Sequence, residues 1–185
     1  MRKLLQIWPG MRSNGLITVM GVTSATLILS MLVSMPKYFL WNASASVPIG
    51  LYFSRPKAVV HVGDLAVTEL PTRVRNLADQ RGYLPLGVLL IKPVSAQSGA
   101  QVCRYGFKIR VNGQVTVVAK STDRMHRLMP IWTGCRHLPS DEVFLMNPAV
   151  SDSFDGRYFG PTKLELVRGR ALPLFTFGTS ILHRR

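Results

Sequence analysis

A mainly β (α+β) domain behind an N-terminal transmembrane helix is the fold class this sequence predicts. Residues 13–35 carry no charged side chain. The remainder breaks into short β-branched runs, one of them a clear hairpin, and a single stretch carries helix signals. Strands with one helix indicate a β-rich domain with one core, and the roughly 150 residues left after the apolar segment are enough to build it.

The apolar part of the first segment, residues 16–35, matches the ~20 residues a helix needs to cross a hydrocarbon core. Thr18, Thr23, Ser24, Thr26 and Ser30 dilute its apolarity, but hydroxyls can bond back to the helix backbone, and Pro36 ends it. Arg2, Lys3 and Arg12 flank the amino side and only Lys37 the other. That asymmetry places residues 1–14 in the cytoplasm, residues 15–36 in the membrane and residues 37–185 outside. Tyr38, Phe39 and Trp41 then read as an interfacial aromatic belt. A cleaved signal peptide is the rival, with Ala43-Ser44-Ala45 as its cleavage site. The run is longer than a usual h-region, and that site lies about ten residues beyond its end, which favours an anchor.

In chain order, residues 58–67, 87–94, 107–118, 142–146 and 163–168 are the strand candidates. The third contains Val111-Asn112-Gly113-Gln114 between alternating apolar residues. Asn-Gly supplies the positive φ angles of a type I′ turn, so this stretch predicts a hairpin. Between the first two runs, Pro71 suits a first helical turn, Val74, Leu77 and Ala78 share a face, and Gly82 provides a stop.

The net charge is +14, and all nine acidic residues lie after the apolar segment with the other 20 of the 23 basic ones. Such a surplus implies an acidic partner or surface. The bases are scattered and no nucleic-acid module signature appears, so inner-membrane lipid is the expected partner and nucleic acid is not. Cys103 and Cys135 permit one disulfide if the domain lies outside the cytoplasm; two buried free thiols are the alternative. Cys135-Arg136-His137 has no second ligand pair at metal spacing, and neither a metal nor an organic cofactor is called for.

Three stretches could carry chemistry. Ser46 sits in Ser44-Ala45-Ser46-Val47-Pro48-Ile49-Gly50-Leu51-Tyr52, where Pro48 and Gly50 break regular structure and leave it on a bent, accessible segment. Lys92 interrupts the apolar run Leu89-Leu90-Ile91-Lys92-Pro93-Val94. A lysine buried there loses its charge readily and becomes a general base for a serine hydroxyl, whereas on an edge strand it would only snorkel into water. Ser151-Asp152-Ser153-Phe154-Asp155-Gly156-Arg157 is a dense polar turn in which Asp155 and Arg157 can pair.

Taken together, the Ser46-x-Pro48-x-Gly50-Leu51-Tyr52, Leu90-x-Lys92 and Ser153-x-Asp155-Gly156-Arg157-Tyr158-Phe159-Gly160-Pro161 boxes resemble the signal peptidase S26 family, most closely its conjugative-transfer (TraF-type) branch. The resemblance covers nearly the whole chain. It implies a signal-peptidase/LexA-like β-rich domain on the outer face of a bacterial inner membrane. It also implies a serine endopeptidase in which Ser46 is the nucleophile and Lys92 the base. Ser44 and the Ser46 backbone N–H would form the oxyanion hole, Ser153 would orient the lysine, Asp155 would be a further catalytic residue and Arg157 its ion-pair partner. The implied substrate is a membrane-embedded pilin or exported precursor, and the implied partners are components of a conjugation or type IV secretion apparatus. Two departures stand out: Ser98-Gly99-Ala100 replaces a Gly-Asp pair of many members, and Pro93 follows the lysine where general signal peptidases carry arginine. A general signal peptidase and a non-catalytic membrane scaffold are the competing readings.

Overall fold

A computed structural model describes residues 13–32 and 38–177, and the chain divides into two units, residues 1–36 and 37–185. The first contains α1, Ser13–Leu32. Its side chains are described over residues 15–29, where large apolar groups such as Ile17, Val19, Met20, Val22 and Leu29 are exposed. Among the described residues no helix is long and apolar enough to cross a membrane. Thr23 and Thr26 hydroxyls do bond back to the carbonyls of Val19 and Val22, each at 2.8 Å. The flanking charges Arg2, Lys3, Arg12 and Lys37, and the end of the expected anchor at Pro36, lie outside the described residues.

The second unit holds β1 (Phe39–Asn42), β2 (Ile49–Pro56), β3 (Leu65–Thr68), α2 (Thr72–Gln80), β4 (Leu90–Ala96), β5 (Gln101–Tyr105), β6 (Lys108–Val111), β7 (Gln114–Val118), β8 (Gly134–His137), β9 (Glu142–Leu145), α3 (Gly156–Phe159), β10 (Thr162–Lys163) and β11 (Val167–Phe177). One sheet runs β1-β2-β11-β3-β4-β9-β10 and a smaller one β7-β6-β5-β8. The domain is mainly β with antiparallel pairing throughout.

The expected hairpin forms as β6–β7, with Asn112 and Gly113 at φ 50° and 81°. The expected helix is α2, which buries Val74 and Ala78; Pro71 takes the position just before its first turn. Two strand expectations need correction. Residues 58–64 are not strand: Gly63 at φ 92° and the Asp64 carboxylate, which accepts the His61 N–H at 2.9 Å, close a turn there, and the strand begins at Leu65. Within residues 163–168, Leu164–Leu166 form a 3-10 turn, and the true strand is the longer β11, which passes Pro173 by a register shift. Cys103 and Cys135, opposite each other on β5 and β8, are joined by a disulfide.

Strand β4 lies between β3 and β9 and is buried on both faces. Ile91 joins Val47, Tyr52, Val67 and Ala171 on one side. Leu90 packs against α2 on the other, and the period of two places Lys92 on Leu90's side. Pro93 cannot donate to a ladder, and the pairing with β9 shifts register just after it, between Val94 and Ala96.

Gly50 shows why its box reads Pro-Ile-Gly. It pairs with Thr176 of β11 at φ 153°, and a Cβ there would lie 2.1 Å from the Phe175 carbonyl oxygen. The backbones of β2 and β11 close only over a hydrogen. Gly50→Ala is therefore expected to destabilise the domain by about 2–3 kcal/mol, read as a lowered denaturation midpoint with an unchanged slope.

Candidate active site

Ser46 lies on the loop joining β1 to β2, and this loop is built from its own polar groups. Asn42, the last residue of β1, donates through Nδ2 to the carbonyls of Ser44, Val47 and Pro48 at 2.8, 3.1 and 3.0 Å. Its Oδ1 accepts the Ser44 N–H at 3.3 Å and the Ser44 hydroxyl at 3.2 Å. The Tyr52 hydroxyl donates to the Pro48 carbonyl at 2.6 Å. Val47, 2 % exposed, plugs the loop into the core. Ser46 is left half-buried with its Oγ 2.9 Å from Ser44 Oγ.

Lys92 is 1 % exposed. Its Nζ donates to Ser153 Oγ at 2.8 Å, and Ser153 is equally buried. Burial penalises the ammonium and pulls its pKa down to about 8; the Asp155 carboxylate opposes that fall and the Arg157 guanidinium adds to it. Part of the Lys92 population is thus a neutral amine at mildly alkaline pH. Neutral amines accept protons; ammonium groups do not.

Asp155 and Arg157 have no solvent exposure. Arg157 Nε and Nη2 donate to Asp155 Oδ1 and Oδ2 at 2.8 and 3.0 Å, a two-point pairing. Arg157 also reaches the carbonyls of Ser151 at 3.0 Å and Asn147 at 2.5 Å. Asp155 accepts the backbone N–H of Asn147 at 3.0 Å and of Arg157 at 3.1 Å, which makes it the N-cap of α3. The bonds described for Asp155 thus go to Arg157 and to backbone amides. Asn147 closes the circuit: its Nδ2 donates to the Ser46 carbonyl at 2.7 Å.

One cavity of about 880 Å³ is lined by Ser44, Ser46, Lys92 and Ser153 together. The structure therefore brings the three expected stretches to one place. It bonds Ser46 Oγ to Ser44 and Lys92 Nζ to Ser153, while Asp155 and Arg157 lie in the network next to Ser153. Asn42 and Asn147 are site residues that the sequence reading missed, and Tyr52 was named only as the end of its box, without a role; of the three, the sequence offered a signal for Asn147. That signal is Asn147-Pro148, a turn pair directly after a strand candidate. Among the described residues no cluster of His, Cys, Asp and Glu could hold a metal.

The family model for signal peptidase, peptidase S26, matches residues 11–175. A plasmid transfer protein TraF of Escherichia coli is 28% identical over 145 residues, covering 74% of this chain and 82% of its own. A probable conjugal transfer protein TraF of Sinorhizobium fredii (strain NBRC 101917 / NGR234) is 33% identical over 150 residues, covering 74% and 76%. The crystal structure of a signal peptidase I from Enterococcus faecalis V583 shares 15% identity at a TM-score of 0.34, covering 60% of this chain and 96% of that one, a likeness too distant to bear on the site.

Two outcomes follow from the buried charges. Lys92 has a folded pKa below its unfolded one, so the unfolded chain binds more protons between pH 8 and 10.5 and wild-type stability rises with pH through that window. Lys92→Met is expected to be more stable than wild type near neutral pH by about 3 kcal/mol, with the gap closing as pH passes through the window. Urea denaturation at a series of pH values checks this, and a constant gap contradicts it. Arg157→Ala leaves Asp155 as an uncompensated buried carboxylate and is expected to cost about 3–5 kcal/mol in the same assay.

Proposed function

The chain belongs to the signal peptidase S26 family, and from that premise we propose that it is a membrane-anchored serine endopeptidase working through a Ser46–Lys92 pair on precursors of the conjugative apparatus. The observation that carries the proposal is a lysine, 1 % exposed and with its pKa pulled down to about 8, opening into the same cavity as a serine held on a built loop.

Neutral Lys92 takes the Ser46 proton once the hydroxyl turns from Ser44 towards it. Ser46 Oγ then attacks the scissile carbonyl, and the Ser44 hydroxyl with the Ser46 backbone N–H receives the developing oxyanion. Ser153 keeps the amine aimed. Asp155 and Arg157 act by positioning, holding the loop that carries Ser153 and, through Asn147, the carbonyl of the nucleophile. The amine leaving group takes the proton from Lys92, and an acyl-enzyme remains. Water resolves it by hydrolysis; an amine resolves it by a new peptide bond, which closes a ring when that amine belongs to the acyl chain itself. The substrate lies extended along a strand edge.

The conjugal and plasmid transfer names of the relatives support a pilin precursor as substrate. An anchor over residues 15–36, with the N-terminus in the cytoplasm and the catalytic domain in the periplasm, is part of the same proposal. Its support is an uncharged helix, Ser13–Leu32, with exposed apolar side chains such as Ile17, Val22 and Leu29, and the exposed Phe39 and Trp41 of β1.

Intact-mass analysis of a co-expressed pilin precursor tests the proposal. Cleavage is expected with the wild-type chain, with one water missing from the product if the ring closes. Ser46→Ala is expected to abolish cleavage while still accumulating in the membrane. Lys92→Arg is expected to lower the rate by about a thousandfold or more, because arginine keeps its proton at working pH. Normal processing by Ser46→Ala removes the assignment; an active Lys92→Arg removes lysine as the base.

A further inference from the structure

Part of the cavity wall comes from the connection between β7 and β8, and this segment is tied together by its own hydrogen bonds. Thr122 bridges to Leu128, and Asp123 accepts the N–H groups of Met125 and Arg127, each at 2.9 Å, and Arg127 Nε at 2.7 Å. The hydroxyl of Tyr83 also donates to Asp123. These bonds hold the carboxylate well below its usual range despite burial.

The wall is also over-supplied with positive charge. Arg81, Lys120, Arg124 and Arg127 line the cavity, and the acids among its lining residues are Asp123 and Asp152. Asp152 alone receives Lys120 Nζ and, at 3.1 and 2.9 Å, Nε and Nη2 of Arg124. Those contacts hold its carboxyl at about 2, so it stays ionised across the working range and is already shared between two cations. The side chain of Arg124 is 85% exposed even while so bonded. The surplus persists when Lys92 is neutral, as the proposed chemistry requires. It acts beside Leu84, Leu90, Met129 and Val150, which also line the cavity and offer it no counter-charge.

We infer that this wall is a substrate subsite for an acidic side chain, so that the enzyme selects precursor segments bearing Asp or Glu within the stretch that enters the cavity. The inference rests on the peptidase reading and adds a charge requirement to it. Lys120 and Arg124 receive the substrate carboxylate in competition with Asp152, and Arg124 is carried on the 122–128 turn. An uncharged segment forgoes that contact, and a lysine-bearing one is repelled.

The test uses the full chain in detergent with Ser46→Ala, so that nothing is cleaved. The probes are three acetyl- and amide-capped Ala/Ser heptapeptides carrying Glu, Gln or Lys at the centre, with affinities measured by calorimetry at low and high salt. The Glu peptide is expected to bind about tenfold tighter than the Gln peptide at low salt, the Lys peptide weakest, and the spread to shrink with salt. Arg124→Glu, which takes the wall from a surplus of two positive charges to balance, is expected to abolish the preference for the Glu peptide over the Lys peptide. Equal affinities for the three peptides, no binding of the Glu peptide at millimolar concentration, or an unchanged preference in Arg124→Glu overturns the inference. Those results leave the peptidase reading standing, because that reading is tested separately, by precursor processing in the Ser46→Ala and Lys92→Arg chains.

Discussion

Asp155 and Arg157 sit where no solvent reaches them, and an ion so placed costs several kcal/mol unless its partner and its remaining hydrogen-bonding capacity are both satisfied. Satisfying them dictates the path of the chain. Arg157 needs the carbonyls of Asn147 and Ser151, and Asp155 needs the amides of Asn147 and Arg157. Residues 147–157 must then wrap around the pair in one way, since another path leaves a buried charge exposed to nothing. Ser153 lies inside that wrap and Asn147 at its start. The pair thereby fixes the hydroxyl that holds Lys92 and the amide that holds the Ser46 carbonyl. Nothing in this requires Asp155 to move a proton.

The same pair enters the electrostatics of Lys92. Burial is the largest influence and drives the amine towards neutrality; Asp155 acts against it more strongly than Arg157 acts with it. A lysine facing a lone carboxylate would remain an ammonium, and a lysine facing apolar walls alone would lose basicity until it could no longer deprotonate a hydroxyl. An acid already neutralised in part by its own arginine gives an intermediate field. The amine is then partly unprotonated at mildly alkaline pH and still basic, which is what the proposed role of general base needs.

How much of this was legible in the sequence depended on the range of the interactions involved. The Asn112-Gly113 hairpin, α2 and the isolated lysine of β4 were readable because turn chemistry, helical period and the oddity of a charge in an apolar run are local. The three chemical boxes were readable by resemblance, and they line one cavity. Residues 58–64 misled because β-branched content outweighed the Gly63-Asp64 turn. The length of β11 was hidden by Pro173, which the register shift accommodates. Asn42 carried no local mark of importance, and the Asn147-Pro148 turn signal did not say what Asn147 would reach. Asn42 reaches carbonyls of the loop that follows it and Asn147 reaches that loop from far along the chain, contacts that exist only once the loop has taken its path, and Gly50 is required by the approach of β11 rather than by its own turn.

The smaller sheet follows from the same logic. Its role is not confined to covering the core, because its strands and connections reach α3 at consecutive residues. Arg104 of β5, fully buried, donates to the Arg157 carbonyl; Trp132 Nε1 donates to the Gly156 carbonyl at 3.0 Å; and the Lys120 N–H meets the Tyr158 hydroxyl at 3.2 Å. These three bonds end on residues 156–158, the short α3 turn that contains the buried arginine. Through Lys120 and Arg124 the 120–124 segment also grips Asp152, the neighbour of Ser153. The 120–124 segment of the cavity wall and the loop that carries Ser153 are therefore bonded to each other. On the proposed function, a substrate group that draws Lys120 or Arg124 away from Asp152 also acts on the segment that carries Ser153, which couples recognition at the wall to the placement of Lys92.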